Sequence, residues 1–384
     1  MKPASGSESR RQVFFAPAPC LLTIRDLPVI KFPRLLWSES KLRSNIRFLN
    51  RLFATAGAPM NWTPVSKAVC ANPEIVGLLL DEGVTEIADS RIENLKRIKS
   101  LSSHCSTLLL RLPGLHEVDE VVRYADTSLV SEATTIERLS AAARDAQVRH
   151  RIILMVELGD LREGVLPQQV LALGRFILQQ PNIDWCGIGT NLTCYGGILP
   201  TREKMLQLLA IKTRIADELG HVLDVVSGGN SSSLPLLLRG DMPTGVSHLR
   251  LGESLLLGRE TVRGQTIAGM YDDIFRLEAE VIEVRVKSSV PEGERGMDAF
   301  GKVPEFEDVG EHRRAILAIG RQDVPIDELV PLEAGIRILG GSSDHMILDV
   351  GKNPVKIGDI LTFGVNYPVL LQAMTSPYVA KVRV

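Results

Sequence analysis

The amino-acid sequence predicts a (β/α)8 barrel followed by a smaller, all-β domain. Three observations support this prediction. Eight short apolar runs alternate with stretches of helical spacing between about residues 30 and 265, polar residues follow nearly every run, and a different pattern begins near residue 272. The chain has 384 residues, which is long enough for one barrel of about 250 residues and a second, smaller domain.

The predicted barrel strands are short runs rich in apolar and β-branched residues. They cover residues 62–66, 86–88, 107–110, 128–130, 151–158, 185–189, 223–226 and 247–251. The helices predicted between them include 72–82, 91–101, 136–146, 168–179 and 201–218. Asn72 and Thr201 fit N-terminal helix caps. Strands that alternate with helices form parallel sheets, and eight such units match a closed barrel.

The C-terminal part of the chain has a different pattern, in which apolar and polar residues alternate. It predicts strands at 275–287, 314–319, 336–339, 345–350 and 360–363, with no long helical stretch between them. We therefore expect a barrel over residues 28–265 and an all-β domain over 270–384. Residues 1–27 are expected to be a disordered extension. A signal peptide is not expected there, because Pro17 and Pro19 interrupt the apolar run that it would need.

The composition is that of an ordinary globular protein, with 45% hydrophobic and 23% charged residues. The 44 Lys and Arg residues nearly balance the 46 Asp and Glu residues, so the formal net charge is -2. A chain of this charge lacks the basic surface that binds nucleic acid. No apolar run is long enough for a membrane helix, and the five scattered cysteines form no CxxC pair. We therefore expect a cytoplasmic protein with reduced thiols and no metal site.

Polar residues stand at the ends of nearly all the predicted barrel strands, where the chemistry of this fold is located. They are Lys67; Asp89, Ser90 and Arg91; Arg111; Ser131 and Glu132; Asp160 and Arg162; Asn191 and Thr193; residues 227–233; and Arg250 and Glu253. Polar loops occur in any barrel, but charged groups at six or more strand ends indicate a functional site.

Three of these features together point to pyridoxal phosphate (PLP). Lys67 has apolar or small neighbours; it could be a desolvated nucleophile or could extend into solvent. The sequence SGGNSSS at 227–233 suits a phosphate, although it could be a plain turn. Arg162 could bind a carboxylate or pair with Glu163. A lysine for the aldehyde, a phosphate loop and guanidinium groups on one face are what PLP requires.

Several longer stretches in both predicted domains match a known family. In the barrel they are 66–70 (SKAVC), 88–94 (ADSRIEN), 160–164 (DLREG), 187–197 (GIGTNLTCYGG), 227–233 (SGGNSSS) and 250–259 (RLGESLLLGR). In the β-domain they are 296–301 (GMDAFG), 318–323 (AIGRQD), 342–345 (SSDH) and 373–378 (AMTSPY). From about Pro28 to the C-terminus the chain resembles the alanine racemase-type, fold-type III PLP enzymes, and is most similar to their ornithine racemase branch.

The resemblance implies a head-to-tail homodimer in which each active site lies between one barrel and the partner's β-domain. Lys67 would form a Schiff base with PLP and act as one acid/base, and Arg162 would bind the substrate carboxylate. Arg250 would contact the pyridine nitrogen. The other residues expected to bind the cofactor, mainly at its phosphate, are Asn191, Ser227, Gly229, Asn230, Ser231, Ser232, Gly252 and Glu253.

The sequence departs from this family at two places. Racemisation needs a second acid/base on the other face of Cα, and alanine racemases supply a Tyr from the partner, whereas 296–301 contains none. Asp298 is the first replacement candidate, and His345 is the second because a histidine titrates near neutral pH; they could also be a surface Asp and a loop-orienting His. The other departure is Asn191, which stands where alanine racemases carry a His near the ring.

The sequence therefore predicts a PLP-dependent amino-acid racemase, with ornithine as the first expected substrate. A distal ammonium would need an acidic partner, and the candidates are Asp344, Glu253, Asp160 and Asp323. The alternatives are a racemase of alanine or another amino acid, a PLP decarboxylase of the same architecture, and a PLP-carrying regulatory protein. Arg250 favours racemisation over decarboxylation, because a guanidinium does not readily protonate the ring nitrogen. Regulatory proteins of this kind usually consist of the barrel alone.

Overall fold

The computed structural model describes residues 31–57 and 59–384, so the extension predicted over 1–27 lies outside the described residues. The strands are β1 Arg34–Trp37, β2 Asn61–Pro64, β3 Glu86–Asp89, β4 Ser106–Leu109, β5 Thr127–Val130, β6 His150–Met155, β7 Ile183–Gly189, β8 Val225–Ser227, β9 His248–Leu251, β10 Phe275–Ser288, β11 Glu311–Leu317, β12 Val330–Pro331, β13 Arg337–Gly341, β14 Met346–Asp349, β15 Ile360–Gly364 and β16 Ala380–Arg383. The helices are α1 Glu39–Ala54, α2 Pro73–Asp81, α3 Ile92–Leu101, α4 Val118–Tyr124, α5 Ala133–Asp145, α6 Val170–Leu178, α7 Arg202–Leu219, α8 Leu234–Leu238, α9 Glu253–Leu257 and α10 Tyr367–Thr375.

The first sheet is a closed parallel barrel, which confirms the predicted fold class. Its strand order is β2-β9-β8-β7-β6-β5-β4-β3, and every pairing in it is parallel. A parallel bridge between Val65 and Ala88 joins the end of β2 to β3 and closes the barrel. All C-terminal strand ends therefore meet at one rim, where the loops can share a site.

Local sequence explains where the barrel helices begin. The Asn72 carboxamide oxygen accepts hydrogen bonds from the Glu74 and Ile75 N–H groups at 3.0 and 3.2 Å, and Pro73 occupies the first position of α2. The Thr201 hydroxyl accepts from the Lys204 N–H at 3.3 Å and caps α7. Both caps are the ones that the sequence predicted. The prediction did not include α1, which precedes the first barrel strand.

The second sheet combines the C-terminal part of the chain with β1. Its order is β12-β15-β10-β11-β14-β13, and β1 adds to it between β10 and β16. The sequence had assigned residues 28–265 to the barrel, so the placement of β1 is a correction. In β1, Leu35 and Trp37 are buried and alternate with partly exposed neighbours, which is the period-2 pattern of a strand with one covered face.

The helix α10 is a second difference, because no helix was expected in the all-β domain. Asn366 caps it by accepting from the Val369 N–H at 3.1 Å, and Pro368 lies in its first turn. The helix packs against the turn Lys67–Val69 of the barrel. It therefore brings side chains of the second domain to the barrel rim. None of the helices in the described ranges is long and apolar enough to cross a membrane.

Candidate active site

Lys67 lies at the C-terminal rim of the barrel, at the start of the turn Lys67–Val69 that follows β2. The preceding residue fixes this turn, because the Ser66 hydroxyl donates to Asp89 at the end of β3 with a length of 2.6 Å. Asp89 is fully buried and also accepts from the Arg91 N–H and the Asn94 side chain, both at 3.0 Å. Two strand ends are thus tied together beside Lys67.

The Lys67 amine is half-buried in a cluster of charges. Burial lowers its pKa below the ordinary value, and the guanidinium groups of Arg162 and Arg250 act in the same direction, against Cys194 and Asp89. Among the residues that the structure describes, none forms a hydrogen bond or ion pair with the amine. A lysine in these surroundings loses its proton more easily than a solvated one and can act as a nucleophile.

Arg250 is a buried cation of β9. Its Nη1 donates to the Ser227 hydroxyl and its Nη2 donates to the Thr190 carbonyl at 2.9 Å. Burial lowers its pKa to about 10, so the guanidinium remains charged at neutral pH. A guanidinium carries five N–H donors, and the contacts within the described residues use two of them, which leaves donors for a ligand.

The loop that follows β8 has the shape of an anion-binding turn. Gly229 has φ +116°, and a Cβ at this position would lie 2.6 Å from the Ser233 hydroxyl, so only glycine fits. The Asn230 side chain holds the loop from inside, accepting from the Ser232 N–H at 2.7 Å and donating to Asn191 Oδ1 at 2.9 Å. These two hydrogen bonds hold the loop in its turn conformation.

The serines of this loop have different roles. Ser233 donates to the Gly228 carbonyl at 2.7 Å, and Ser232 makes a long contact of 3.5 Å to the Leu192 carbonyl. Ser231 accepts from the Ser254 N–H at 3.2 Å and from its hydroxyl at 3.0 Å, which leaves the Ser231 hydroxyl hydrogen for a ligand.

Ser227 was expected to bind the cofactor directly, but its fully buried hydroxyl contacts Arg250 and His248 instead. Any effect of Ser227 on a ligand at the rim is therefore exerted through Arg250.

The turn between β9 and α9 faces this loop. A Cβ on Gly252 would approach the Val65 Cβ to 3.2 Å, so glycine lets the turn pack closely on the end of β2. The next residue, Glu253, is half-buried; burial raises the pKa of its carboxyl and the charge of Lys67 opposes this rise. A carboxylate thus lies within electrostatic reach of the amine.

Asn191 carries the clearest sign of a missing ligand. Its side chain is only 8% exposed, its oxygen accepts from Asn230, and its Nδ2 is buried without a partner among the described residues. A buried amide that lacks a partner is costly. The Ser231 hydroxyl hydrogen and the Lys67 amine also have no partner within the described ranges, and the three groups together fit an anionic, aldehyde-bearing cofactor such as PLP.

Arg162 forms the local ion pair that the sequence left open. Its Nε and Nη2 bind both carboxylate oxygens of Glu163, the latter at 2.5 Å, and its backbone N–H donates to Glu157 at 3.1 Å. The fork of the guanidinium is thus held by its neighbour. Within the described residues the Nη1 group makes no hydrogen bond, and the positive charge of the guanidinium acts on Lys67.

Two acidic candidates for an ammonium are committed to other contacts. Asp160 is fully buried and accepts from the N–H groups of Cys194, Tyr195 and Ile198 at 3.1, 3.0 and 3.4 Å. Asp323 is buried and accepts from a serine hydroxyl in the β-domain at 2.8 Å. Both carboxylates hold loops in place, so the expectation that either could bind a ligand is corrected.

Asp298, Asp344 and His345 lie on an exposed face of the β-domain. Asp298 accepts from the Phe300 and Lys302 N–H groups, both at 2.9 Å, and these contacts lower its pKa. His345 Nδ1 lies 2.9 Å from Asp344 Oδ1. No contact within the described residues joins these three side chains to Lys67. One chain therefore does not bring together the acid/base groups that the sequence predicted.

The sequence patterns did not point to Tyr367. It begins α10 and is half-buried; burial raises its pKa to about 12, and the charges of Glu253, Cys194 and Asp89 add to this rise. Those neighbours place the phenol at the rim, near the Lys67 cluster. The Asn-Tyr-Pro sequence at 366–368, an N-cap followed by a proline in the first turn, was the available signal.

Comparison with known proteins is consistent with this geometry. Residues 38–260 match the family described as "Alanine racemase, N-terminal domain". The chain is 44% identical to an ornithine racemase from Acetoanaerobium sticklandii, over 91% of this chain and 99% of that protein. It is 38% identical to a lysine racemase from Thermotoga maritima, over 91% and 98%. An alanine racemase structure from Streptomyces lavendulae superposes with a TM-score of 0.72 at 17% identity, covering 93% of this chain and 98% of the other.

Proposed function

The chain belongs to the alanine racemase family and is a racemase, and from this premise we propose that it racemises a basic amino acid, ornithine first, with PLP as its cofactor. The observation that carries the proposal is the Lys67 amine at the barrel rim, which has no hydrogen-bond or ion-pair partner among the described residues and experiences the charges of two guanidinium groups. The names of the two curated relatives support a basic substrate.

The residues at the rim fit PLP in a definite orientation. Lys67 would hold the aldehyde carbon, Ser231 and the Gly229 and Gly252 turns would hold the phosphate, and Arg250 would face the ring nitrogen. The Asn191 amide would donate its Nδ2 hydrogen to the ring or its substituents. Bound PLP supplies the electron sink that makes the α-hydrogen of an amino acid acidic. The protein then has to orient the substrate and move protons at Cα.

Proton transfer at Cα requires one group on each face. Lys67 would take or give the proton on one face, with its lowered pKa favouring the neutral amine. We propose that a second copy of the chain supplies the other group from its β-domain. There, Asp344 orients His345 through Nδ1, which leaves Nε2 for the proton. Asp298 stays a candidate, but its lowered pKa makes it the weaker base.

This assignment requires a homodimer, and the mass of the native protein tests it. Light scattering should give twice the mass of one chain. His345→Gln should abolish turnover while leaving PLP binding intact, and mixing it with Lys67→Ala should restore part of the activity, because one of the two shared sites in a mixed dimer is complete. A monomer that is fully active would contradict the shared site.

We also propose that Glu253 binds the distal ammonium of the substrate. Its carboxylate is half-buried near Lys67, and no hydrogen bond engages it within the described residues. Glu253→Gln should raise KM for L-ornithine about tenfold, the effect of losing about 1.5 kcal/mol from a charged hydrogen bond, without raising KM for a neutral amino acid. Glu137→Gln on the exposed face of α5 is the matched control.

The decisive assay follows α-proton exchange and optical rotation with a panel of L-amino acids in D2O. We expect deuterium at Cα and loss of optical rotation with L-ornithine, and no release of CO2. Constant rotation with every basic amino acid would exclude the proposed substrate class, and release of CO2 would indicate a decarboxylase.

Borohydride reduction followed by peptide mass analysis tests the cofactor. The PLP adduct should be on Lys67, and Lys67→Ala should carry none; an adduct on another lysine would contradict the assignment.

The cellular compartment is also proposed. We infer a cytoplasmic enzyme, since the cysteines of the described ranges, Cys70, Cys105, Cys186 and Cys194, are all free thiols. Fractionation of cells that express the full chain tests this directly.

A further inference from the structure

One half of the barrel interior is polar, which is unusual for this fold. Barrel interiors are normally filled by branched apolar side chains. Part of the interior of β3 to β6 follows that rule, because Ala88, Leu108, Leu129, Ile153 and Met155 form one apolar cluster. On the other side, β2, β8 and β9 contribute hydroxyl, imidazole and guanidinium groups, all of them buried.

These buried groups form one continuous row of hydrogen bonds. Arg250 Nη1 binds the Ser227 hydroxyl, and that hydroxyl lies 2.8 Å from His248 Nδ1. His248 Nε2 lies 2.8 Å from the Thr63 hydroxyl, which donates to Glu86 Oε1 at 2.6 Å. The row therefore starts at the cofactor side of the barrel and ends at a carboxylate near the N-terminal ends of the strands.

The strand geometry explains how distant residues meet in this row. His248 and Arg250 are two positions apart on β9, so both side chains point into the barrel. Thr63 on β2 is the ladder partner of Arg250, and Ser227 on β8 is the ladder partner of His248. Neighbouring strands therefore place the next hydroxyl within reach of each ring nitrogen.

The two ends of the row fix the direction of every hydrogen bond in it. A guanidinium can only donate and an ionised carboxylate can only accept. Ser227 therefore accepts from Arg250 and donates its hydrogen to His248 Nδ1. His248 must carry its hydrogen on Nε2 and donate it to Thr63, which donates to Glu86. Each group makes the next one a better partner.

The outer end of the row meets open space. Glu86, Thr63 and His248 line a cavity of about 1260 Å³ on the side of the barrel opposite to Lys67. The Glu86 carboxylate is 30% exposed, so solvent reaches it from this cavity. A charged anchor can thus act on the site from the far side of the barrel without being buried itself.

We propose that Ser227, His248, Thr63 and Glu86 are positioning residues that hold the Arg250 guanidinium in its place facing the cofactor ring. This inference rests on the proposed function, since it assigns Arg250 to the PLP nitrogen. The Ser227 hydroxyl donates its hydrogen to His248, so its oxygen can only accept a hydrogen bond from Arg250. With the Thr190 carbonyl as second acceptor, the guanidinium is held at two points.

The first test is the tautomer of His248 in the intact protein. Labelling the histidine side chains with ¹³C and ¹⁵N and assigning the ring by comparison with His248→Gln should show the Nε2–H form at neutral pH. Ser128 and His150 are a second buried Ser–His pair, 2.9 Å apart and outside the row; Ser128→Ala should leave the His248 signals unchanged. A His248 ring protonated on Nδ1 would overturn the proposed direction.

The second test breaks the row far from the site. Thr63→Val removes one hydroxyl at almost constant volume and should lower kcat about tenfold through misplacement of Arg250, with a smaller change in KM and weaker PLP binding to the apoprotein. Thr63→Ser should restore both. Ser128→Ala, with the same loss of one buried hydroxyl, should change neither.

The outcomes separate this inference from the function on which it rests. Full kcat and unchanged PLP affinity in Thr63→Val would overturn the positioning role. A wild-type chain that binds no PLP would refute the proposed function, while the tautomer measurement would still decide whether the row exists. Thermal unfolding of each variant identifies any loss that comes from misfolding. For a misfolded variant, Glu86→Leu, which removes the acceptor of the Thr63 hydroxyl, replaces Thr63→Val in the same assays, with the same two outcomes.

Discussion

Two buried histidines should make this protein lose stability in mild acid. Burial lowers the pKa of His248 to about 3 and that of His150 to about 4, from an ordinary value of 6.5. In the unfolded chain both rings take up a proton as the pH falls through 6.5. In the folded chain they stay neutral, so the stability present above pH 6.5 is lost progressively as the pH falls toward 4 and 3.

The size of the effect follows from these pKa values. At pH 5 the unfolded form of each histidine is almost fully protonated, and the linkage relation gives a loss of about 2 kcal/mol for each ring. The two together remove about 4 kcal/mol, a large part of the 5–15 kcal/mol that is usual for a folded domain. The window from pH 7 to pH 5 avoids Glu82 and Asp273, whose lowered pKa values affect stability in stronger acid.

Urea unfolding at fixed protein concentration measures this loss. The wild type should be about 4 kcal/mol less stable at pH 5 than at pH 7, and His150→Gln should lose only about half as much, because one titrating ring is gone. The exposed His116 provides the control variant His116→Gln, which should lose as much as the wild type. Equal losses in wild type and His150→Gln would refute the assignment of His150 as a buried neutral ring.

Three further predictions concern the loops at the rim. Gly229→Ala should lower the free energy of unfolding by about 1–3 kcal/mol, because its φ of +116° and the 2.6 Å approach to Ser233 exclude a Cβ; unchanged urea midpoints would contradict this. Ser231→Ala should weaken PLP binding about tenfold by removing one charged hydrogen bond. Ser233→Ala should lower stability without changing the affinity for PLP. Fluorescence titration of each apoprotein with PLP measures these affinities. Asp160→Asn should speed amide exchange in residues 193–198, since the buried carboxylate holds the Cys194 loop; retained protection would show that the loop is held by other contacts.

The sequence determined the barrel strands and the position of Lys67 because their signals are local. A run of buried β-branched residues, an Asn-Pro helix start and a Gly-Gly turn depend on neighbours a few positions away. Lys67 and the 227–233 loop could be placed at the rim for the same reason, since the ends of parallel strands share one edge. Arg250 followed from the alternation along β9.

The tertiary structure alone decided which polar groups face one another. The Thr63 hydroxyl and the His248 ring are separated by 185 residues in the chain and by 2.8 Å in the barrel, and no local pattern encodes that distance. The same reason explains why β1 lies in the second sheet and why Tyr367 lies at the rim. It also explains why the Asp160 carboxylate binds the N–H groups of the Cys194 loop and not a ligand. Residue types and their spacing determine elements, whereas the partner of a buried donor or acceptor is determined by the packing of the whole chain.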